Sequence, residues 1–124
     1  MDLQSRKEAE SVRLDPDIRV VFDQRADDCH VSLSGRITID SSPDLRTLLL
    51  RRLESPSCQL LTVDFCEVAY VDISGVAILV ELLKAARRLK KTFQLSGLRG
   101  RPRYLLESTR LLHLFPEVNA PCHG

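Results

Sequence analysis

The sequence contains no tryptophan, and only 5% of its 124 residues are aromatic. A surface that stacks the bases of single-stranded nucleic acid needs aromatic faces, so this chain is poorly equipped to provide one. The formal net charge is +1, so the sequence also lacks the excess of positive charge that nucleic-acid binding requires. We therefore expect no nucleic-acid partner.

Long apolar runs are also absent. No stretch approaches the roughly 20 consecutive apolar residues that a membrane-spanning helix needs, and residues 1–17 contain no apolar signal-peptide core. We therefore expect a cytoplasmic protein without direct membrane insertion. Because 44% of the residues are hydrophobic, the chain can bury the core of one domain and has room for little else.

The cysteines lack the spacing of a metal site. There are four of them, at Cys29, Cys58, Cys66 and Cys122. None forms a Cys-x-x-Cys pair, and the three histidines add no familiar ligand spacing. The sequence therefore predicts no metal and no cofactor. We expect reduced structural thiols, with Cys66 at a buried strand position.

The N-terminal third predicts a leader followed by a hairpin. Residues 1–16 carry scattered charge, no sustained period and Pro16, so we expect a flexible N-terminal leader. Apolar and polar residues alternate from Ile18 to Asp23 and again from Cys29 to Ser34. These two runs are joined by a polar, turn-like segment at 24–28, which indicates an antiparallel β-hairpin.

Two amphipathic helices follow the hairpin. The first is expected to begin at Ser42-Pro43-Asp44, with a hydroxyl N-cap, a proline at the first helical position and an acid in the first turn. It should end before Ser55-Pro56-Ser57. The second should begin after Asp72, and its cations gather near its C-terminal end, where they complement the helix dipole. The expected buried stripes are Leu45, Leu48, Leu49 and Leu53 in the first helix, and Val76, Leu79, Leu82, Leu83, Ala86 and Leu89 in the second.

Strands alternate with these helices. The apolar run at 60–65 indicates a buried strand, followed by a linker at 66–71. Residues 92–98 predict another strand, with Phe93 and Leu95 inward, and Pro102 should open a third helix that carries Leu105, Leu106, Leu111 and Leu112. A hairpin followed by alternating helices and strands predicts an α/β fold, with a mixed, mostly parallel β-sheet and helices packed against it.

The segment Asp72-Ile73-Ser74-Gly75 is the candidate working site. It lies where a buried strand leads into a helix, and the free N–H groups and positive dipole end of such a helix favour an anion. Phosphorylation of a hydroxyl there would add roughly −1.5 to −2 charges. The same residues also have structural explanations: Asp72 and Ser74 can cap the helix, and Gly75 permits a tight entry and leaves room for a partner.

Enzymatic motifs are missing from the sequence. Asp64 could suggest a catalytic carboxylate, but no second acid, histidine or metal pattern accompanies it. Ser74 lacks a Gly-x-Ser-x-Gly context, and there is no glycine-rich phosphate loop. We expect that the protein is not an enzyme.

Five segments together resemble the STAS domain, which is the fold of bacterial anti-sigma-factor antagonists (SpoIIAA-like). They are Gly35-Arg36-Ile37-Thr38, Pro43-Asp44-Leu45-Arg46, Val63-Asp64-Phe65, Asp72-Ile73-Ser74-Gly75 and the ending from Leu111 to Phe115. The resemblance spans about residues 18–118, which implies a STAS domain at 17–119 and a C-terminal tail at 120–124.

The resemblance implies a mechanism. In such antagonists, the Ser or Thr before the glycine is phosphorylated by an anti-sigma factor that is also a serine kinase, and the phosphate breaks the complex. Ser74 would then be the phosphorylation site. This sequence has Thr38 where members of the family often carry an acid, with Asp40 two residues on. The implied partner-binding residues are Asp72, Ile73, Ser74, Gly75, Val76, Thr38 and Asp40.

Two other roles are compatible with the same resemblance. One is a STAS subunit of a lipid-transporting ABC system, which stabilises the ATPase and permease without a phosphorylation cycle. The other is a scaffold built from many STAS copies in a stress-signalling complex. For the isolated chain we expect a monomer or a weak dimer.

Overall fold

The computed structural model describes residues 9–14, 17–118 and 122. Within this part of the chain, six strands form a single sheet and three α-helices pack with it. The strands are β1 (Ala9–Leu14), β2 (Ile18–Arg25), β3 (Asp28–Ile37), β4 (Leu60–Val71), β5 (Thr92–Ser96) and β6 (Glu117–Val118). The helices are α1 (Ser42–Glu54), α2 (Ile73–Leu89) and α3 (Gly100–Ser108), and a 3₁₀ turn covers Leu112–Leu114.

The strands lie in the sheet in chain order, from β1 to β6. β1 pairs with β2 and β2 with β3 in antiparallel fashion, whereas the three remaining pairings are parallel. The predicted α/β fold, with its mostly parallel mixed sheet and its hairpin, is therefore confirmed. None of the helices in the described ranges is long and apolar enough to cross a membrane.

One face of the sheet carries the core. In β2, the alternating residues Ile18, Val20 and Phe22 are buried and Arg19 is exposed. The predicted stripes of the first two helices pack on this face: Leu45, Leu49, Leu53, Val76, Leu79, Leu82, Leu83 and Ala86 are buried, and Leu48 and Leu89 are partly buried. The expected inward residues Phe93 and Leu95 belong to the same cluster. Apolar residues that recur every two positions in the strands and about every 3.6 positions in the helices thus pack together in one core.

The predicted leader at 1–16 is wrong for residues 9–14, which form strand β1. Six of its residues pair with β2, from Ala9 with Asp23 to Leu14 with Ile18. Val12 and Leu14 pack partly buried against the core, and Glu10 forms an ion pair with Arg52 of α1. An edge strand has one neighbour and a weak apolar pattern, so the sequence gives little indication of it. The rest of that leader, at 1–8 and 15–16, lies outside the described residues.

The predicted linker at 66–71 is also wrong, because β4 continues to Val71. The pairing of β3 with β4 shifts register between Ser32 and Ser34, and again between Gly35 and Arg36. Each irregularity inserts a residue into β4 and resets which side chains face the core. The exposed residues Glu67 and Ala69 therefore interrupt the apolar run without ending the strand.

Helix α1 begins one residue earlier than expected. Its N-cap is Ser41, not Ser42, and the Ser41 hydroxyl accepts a hydrogen bond from the Thr38 N–H at 3.2 Å instead of capping a helix amide. At its other end, the Lys91 ammonium donates to the carbonyls of Leu53 and Ser55, at 2.7 and 2.9 Å. The Leu53 carbonyl lies in the last turn, where carbonyls lack an intrahelical partner, and the Ser55 carbonyl also accepts from the Cys58 N–H at 3.0 Å.

The C-terminal elements differ in detail from expectation. Strand β5 ends at Ser96, and α3 begins at Gly100, two residues before Pro102. Leu106 is buried, but Leu111 and Leu112 lie at the 3₁₀ turn beyond the helix and are partly buried. Val118 pairs with Ser96 as part of a short sixth strand that was not predicted from the sequence.

The expectation that all four cysteines are reduced is wrong for one pair. Cys66 and Cys122 form a disulfide, with their Cα atoms 5.4 Å apart. No short motif joins two residues separated by 56 positions, so the sequence offered no local sign of the pairing. Cys29 and Cys58 are free and buried. The Cys58 thiol has a lowered pKa because it is hydrogen-bonded to Cys29 and lies near Lys91 and Arg52.

Candidate functional site

Asp72 organises the segment in which strand β4 leads into helix α2. It is the N-cap of α2. Its Oδ1 atom accepts two hydrogen bonds from Ser74, one from the backbone N–H at 2.9 Å and one from the hydroxyl at 2.5 Å. A carboxylate at this position satisfies a free helix amide and favours the positive end of the helix dipole. The predicted N-cap role of Asp72 is confirmed.

The same carboxylate joins two loops. Its second oxygen, Oδ2, accepts a hydrogen bond from the Ile39 N–H at 3.1 Å. The Asp72 N–H donates to the Ile37 carbonyl at 3.1 Å. The end of β3 and the start of α2 are therefore held side by side, so residues separated by 33 positions in the sequence share one surface.

A tight turn between β3 and α1 forms the other half of this surface. The Thr38 carbonyl accepts hydrogen bonds from the N–H groups of Ser41 and Ser42, at 3.1 and 2.8 Å. The Thr38 hydroxyl accepts one from the Asp40 N–H at 3.3 Å. Thr38 thus fixes the turn through its carbonyl and its hydroxyl. Asp40 is exposed on this turn.

Two large apolar side chains flank the Asp72–Ser74 pair. Ile39 is 71% exposed and Ile73 is 61% exposed, which are unusual fractions for isoleucine. Ile39, Asp40, Asp72, Ile73 and Ser74 form the candidate site for partner binding and are called the docking surface below. Ile39 is not among the predicted site residues, because a single isoleucine in a turn has no periodic partner in the sequence. Its only sequence signal is an apolar residue between the polar Thr38 and Asp40.

Two predicted partner-binding residues are buried. Val76 is only 2% exposed and belongs to the core, so it cannot contact a partner. Gly75 is buried as well, and a Cβ atom added to it would lie 2.4 Å from Val71 Cγ2 and 3.0 Å from Ile37 Cγ2. Gly75 therefore makes room for the end of the sheet rather than for a partner. Of the seven predicted residues, the structure brings the remaining five together around Asp72.

An ion pair links α1 and α2 on their exposed side. The Arg46 guanidinium donates to both carboxylate oxygens of Glu81, at 2.5 and 2.8 Å. The hydrogen bond from Arg46 lowers the pKa of Glu81. Glu81 lies eight residues after Ile73, or about 12 Å along the helix axis. The pair fixes the helix that presents Ile73 and Ser74 against its neighbour.

Asp64, the other carboxylate considered from the sequence, has a backbone partner. Its Oδ1 accepts a hydrogen bond from the Cys66 N–H at 2.9 Å. It lies in β4, eight residues before Asp72 and ten before Ser74. The carboxylate thus supports the irregular part of β4.

A family model described as "Mlab, STAS domain" matches residues 20–116 of the chain. The match covers the sheet from β2 to the end of the 3₁₀ turn, together with all three helices. It includes both loops of the docking surface. A search of curated protein sequences found no match.

Solved structures share the fold at low sequence identity. An anti-sigma factor antagonist from Mycobacterium paratuberculosis aligns with a TM-score of 0.74 and 20% identity, over 86% of this chain and 89% of that one. The phosphorylated form of the Bacillus cell fate determinant SpoIIAA aligns with a TM-score of 0.64 and 12% identity, over 93% and 91% of the two chains. At such identities the likeness shows the fold alone.

A similar fold also occurs as part of an anion transporter. The murine Slc26a9 anion transporter aligns with a TM-score of 0.61 and 15% identity, over 76% of this chain but only 17% of that one. The shared fold therefore occurs both in proteins of about this size and as a small part of a much larger one.

Proposed function

The chain belongs to the STAS domain family, and from that membership we propose that it is an anti-sigma-factor antagonist switched at Ser74. In its unphosphorylated form it binds an anti-sigma factor that is also a serine kinase. It acts through binding and catalyses no reaction, and its place is in the cytoplasm with the transcription machinery. The observation that carries the proposal is the Ser74 hydroxyl, held by Asp72 between two exposed isoleucines.

The two isoleucines of the docking surface contribute to the free energy of partner binding. Ile39 and Ile73 stand on two different loops that Asp72 joins, so both can enter one partner surface at once. Burying an isoleucine side chain stabilises a complex by about 1.5–3 kcal/mol. Because the turn is already fixed by the hydrogen bonds of Thr38, little conformational freedom is lost on binding.

Phosphorylation would change the charge of this surface and its internal contacts. The Ser74 hydroxyl donates its hydrogen to Asp72 in the unmodified protein, and a phosphate on that oxygen removes the donor. It also places roughly −1.5 to −2 charges beside the carboxylate. The phosphate can replace Asp72 as acceptor at the start of α2, where anions are favoured. Asp72 is then repelled, and its hydrogen bond to the Ile39 N–H is lost.

The phosphorylation step is tested with the purified chain and candidate anti-sigma factors with serine-kinase activity from the same organism. Incubation with ATP should add one phosphate, located at Ser74 by tandem mass spectrometry. Ser74→Ala should abolish the modification. Ser108→Ala is the matched control, because Ser108 is exposed on α3, and this variant should be modified like the wild type. An unmodified wild-type chain, or modification that survives in Ser74→Ala, would contradict the proposal.

The binding step is tested by titrating the same partner with unphosphorylated variants. Ile39→Ala and Ile73→Ala should each weaken binding about tenfold or more, as expected for central apolar contacts. Tyr104→Ala is the control, since Tyr104 is 64% exposed but lies in α3 and not in either loop of the docking surface. A loss of affinity that is equal in all three variants would argue against this surface.

A second candidate function is favoured by the description of the matching family model, "Mlab, STAS domain". In this alternative, the chain is the STAS subunit of a lipid-transporting ABC system, and the docking surface contacts the ATPase. Affinity purification of the tagged chain from its own cells separates the two roles. Recovery of an ATPase and a permease, unaffected by Ser74→Ala or Ser74→Glu, supports the transporter role. Recovery of a serine kinase that Ser74→Glu abolishes supports the antagonist.

A further inference from the structure

The Cys66–Cys122 disulfide joins the C-terminal end of the chain to the middle of the sheet. Cys66 lies in β4, and Cys122 lies four residues beyond the end of β6. The Cys122 sulfur also lies 3.9 Å from the Gly97 carbonyl, in the turn after β5. The disulfide therefore connects Cys122 with β4 and places its sulfur beside the residue that follows β5.

The surroundings of Cys66 leave space for this sulfur. Gly97 has a left-handed backbone with φ of 68°, and a Cβ atom on it would lie 2.4 Å from Cys66 Sγ. The Cys66 N–H donates to Asp64 Oδ1 at 2.9 Å, and the Cys66 carbonyl accepts from Arg99 at 3.0 Å. Both contacts use the Cys66 backbone and do not depend on the disulfide. The backbone of Cys66 is thus held by contacts that do not involve its sulfur.

The two cysteine pairs differ in access to solvent. Cys66 and Cys122 are both partly exposed. Cys29 and Cys58 are at most 1% exposed and belong to the core. A thiol reagent can therefore reach the disulfide while the folded protein shields the other pair. The core cluster contains neither Cys66 nor Cys122, so opening their bond removes no core contact.

We propose that Cys66 and Cys122 form a redox-reversible site, closed and opened by exchange with a glutathione-type thiol. This inference goes beyond the proposed function and does not depend on it. In closing, one protein thiolate attacks glutathione disulfide and releases one glutathione thiolate, which leaves a mixed disulfide. The second protein thiolate then attacks the protein sulfur of that mixed disulfide and releases a second glutathione. The two protons of the protein thiols pass, through solvent, to the two released glutathione thiolates, and two electrons pass from the cysteines to the glutathione disulfide.

The consequence is a change in what Cys122 is attached to. When the bond is closed, Cys122 is joined to β4 at Cys66, whose carbonyl accepts a hydrogen bond from Arg99. When it is open, the covalent link between Cys122 and β4 is removed and the Cys66 thiol is available for modification. The sheet and the core persist in both states, because neither depends on the cross-link. A reversible site requires this persistence.

The test uses the full chain equilibrated without oxygen in buffers of graded reduced-to-oxidised glutathione ratio. Each sample is quenched with acid and alkylated in denaturant, and the modified cysteines are identified by mass spectrometry. We expect alkylation of Cys29 and Cys58 alone in oxidising buffer and of all four cysteines in reducing buffer. The change should reverse when the ratio is reversed, with unaltered far-ultraviolet circular dichroism.

Matched variants show whether the change in alkylation comes from Cys66 and Cys122. Cys29→Ser combined with Cys58→Ser should titrate at the same glutathione ratio, with two alkylated cysteines at the reducing end and none at the oxidising end. Cys122→Ser should leave Cys66 free or carrying one glutathione at every ratio. Persistent protection of Cys66 and Cys122 in the most reducing buffer would overturn the proposal. So would full alkylation at every ratio, or unfolding when the bond opens.

Discussion

Single residues at the docking surface have roles that can be separated by substitution. Asp72 accepts three hydrogen bonds with its side chain, two from Ser74 and one from Ile39. It therefore contributes to helix capping, to the orientation of the serine hydroxyl and to the position of a neighbouring loop. Loss of its carboxylate should affect all three.

The first prediction concerns Asp72→Ala. Removing an N-cap acceptor costs about 0.5–2 kcal/mol, and leaving the Ile39 N–H without its acceptor adds a further penalty, so we expect a loss of about 1–3 kcal/mol in total. Urea unfolding followed by circular dichroism measures the change. Asp44→Ala is the comparison, because Asp44 is an exposed acid in the first turn of α1. Its loss should stay below about 1 kcal/mol. Equal effects of the two substitutions would contradict the interpretation.

The second prediction concerns Gly75→Ala. The new Cβ would lie 2.4 Å from Val71 Cγ2, and such overpacking costs about 1–3 kcal/mol. Shortening the contacted side chain should relieve the clash. In a double-mutant cycle with Val71→Ala, the destabilisation by the two substitutions together should therefore be smaller than the sum of the single effects. Strict additivity in urea unfolding would show that the two side chains do not meet.

At the scale of elements, the helices and strands with a regular apolar period are the ones that the sequence predicts best. Helix α2 was predicted with its N-cap and buried stripe, because its apolar residues recur along one face. The second half of β4 was not predicted as a strand, because two register shifts against β3 interrupt its alternation of apolar and polar residues. Strand β1 was missed since an edge strand needs little apolar sequence. In the site, Asp72 and Ser74 can be predicted from their motif. Ile39 cannot, because only a hydrogen bond from its N–H to Asp72, 33 positions away, brings it to the site.

The contact between α1 and α2 gives a prediction about pH. Arg46 lowers the pKa of Glu81 from its ordinary value of 4.5. A lowered folded-state pKa gives stability that is present above the unfolded value and is lost as the pH falls through the folded one. Glu81→Gln should therefore be slightly less stable than the wild type at pH 7. The difference should shrink as the pH falls below 4.5.

Both side chains of this ion pair are substantially exposed, so the effect at neutral pH should be small. Thermal unfolding of the two proteins, recorded at pH 7 and at several lower pH values, measures it. High salt at pH 7 should also reduce the difference, since it screens exposed charges. A difference that grows towards low pH would contradict this account.

At the scale of the whole molecule, the disulfide restricts the unfolded chain. It joins residues 56 positions apart, and closing a loop of that length raises the free energy of unfolding by about 4 kcal/mol in the chain-entropy account. Cys66→Ser combined with Cys122→Ser should lower it by about 2–4 kcal/mol relative to the oxidised wild type. Denaturant unfolding with and without a reducing agent measures this. Under reducing conditions the double variant and the wild type should nearly coincide, and a persistent gap would indicate lost packing instead.

The packing of Gly75 has a consequence for how the motif changes during evolution. Asp72 begins α2, and Gly75 lets that helix approach Val71 and Ile37, so both serve the fold whether or not a kinase exists. The Ser74 hydroxyl adds only one hydrogen bond. A lineage that abandons phosphorylation should therefore retain the aspartate and the glycine under selection for folding, while the position of Ser74 drifts. Among proteins with this Asp-x-Ser-Gly motif, replacement of the serine, with the aspartate and glycine retained, should therefore indicate that phosphorylation has been lost.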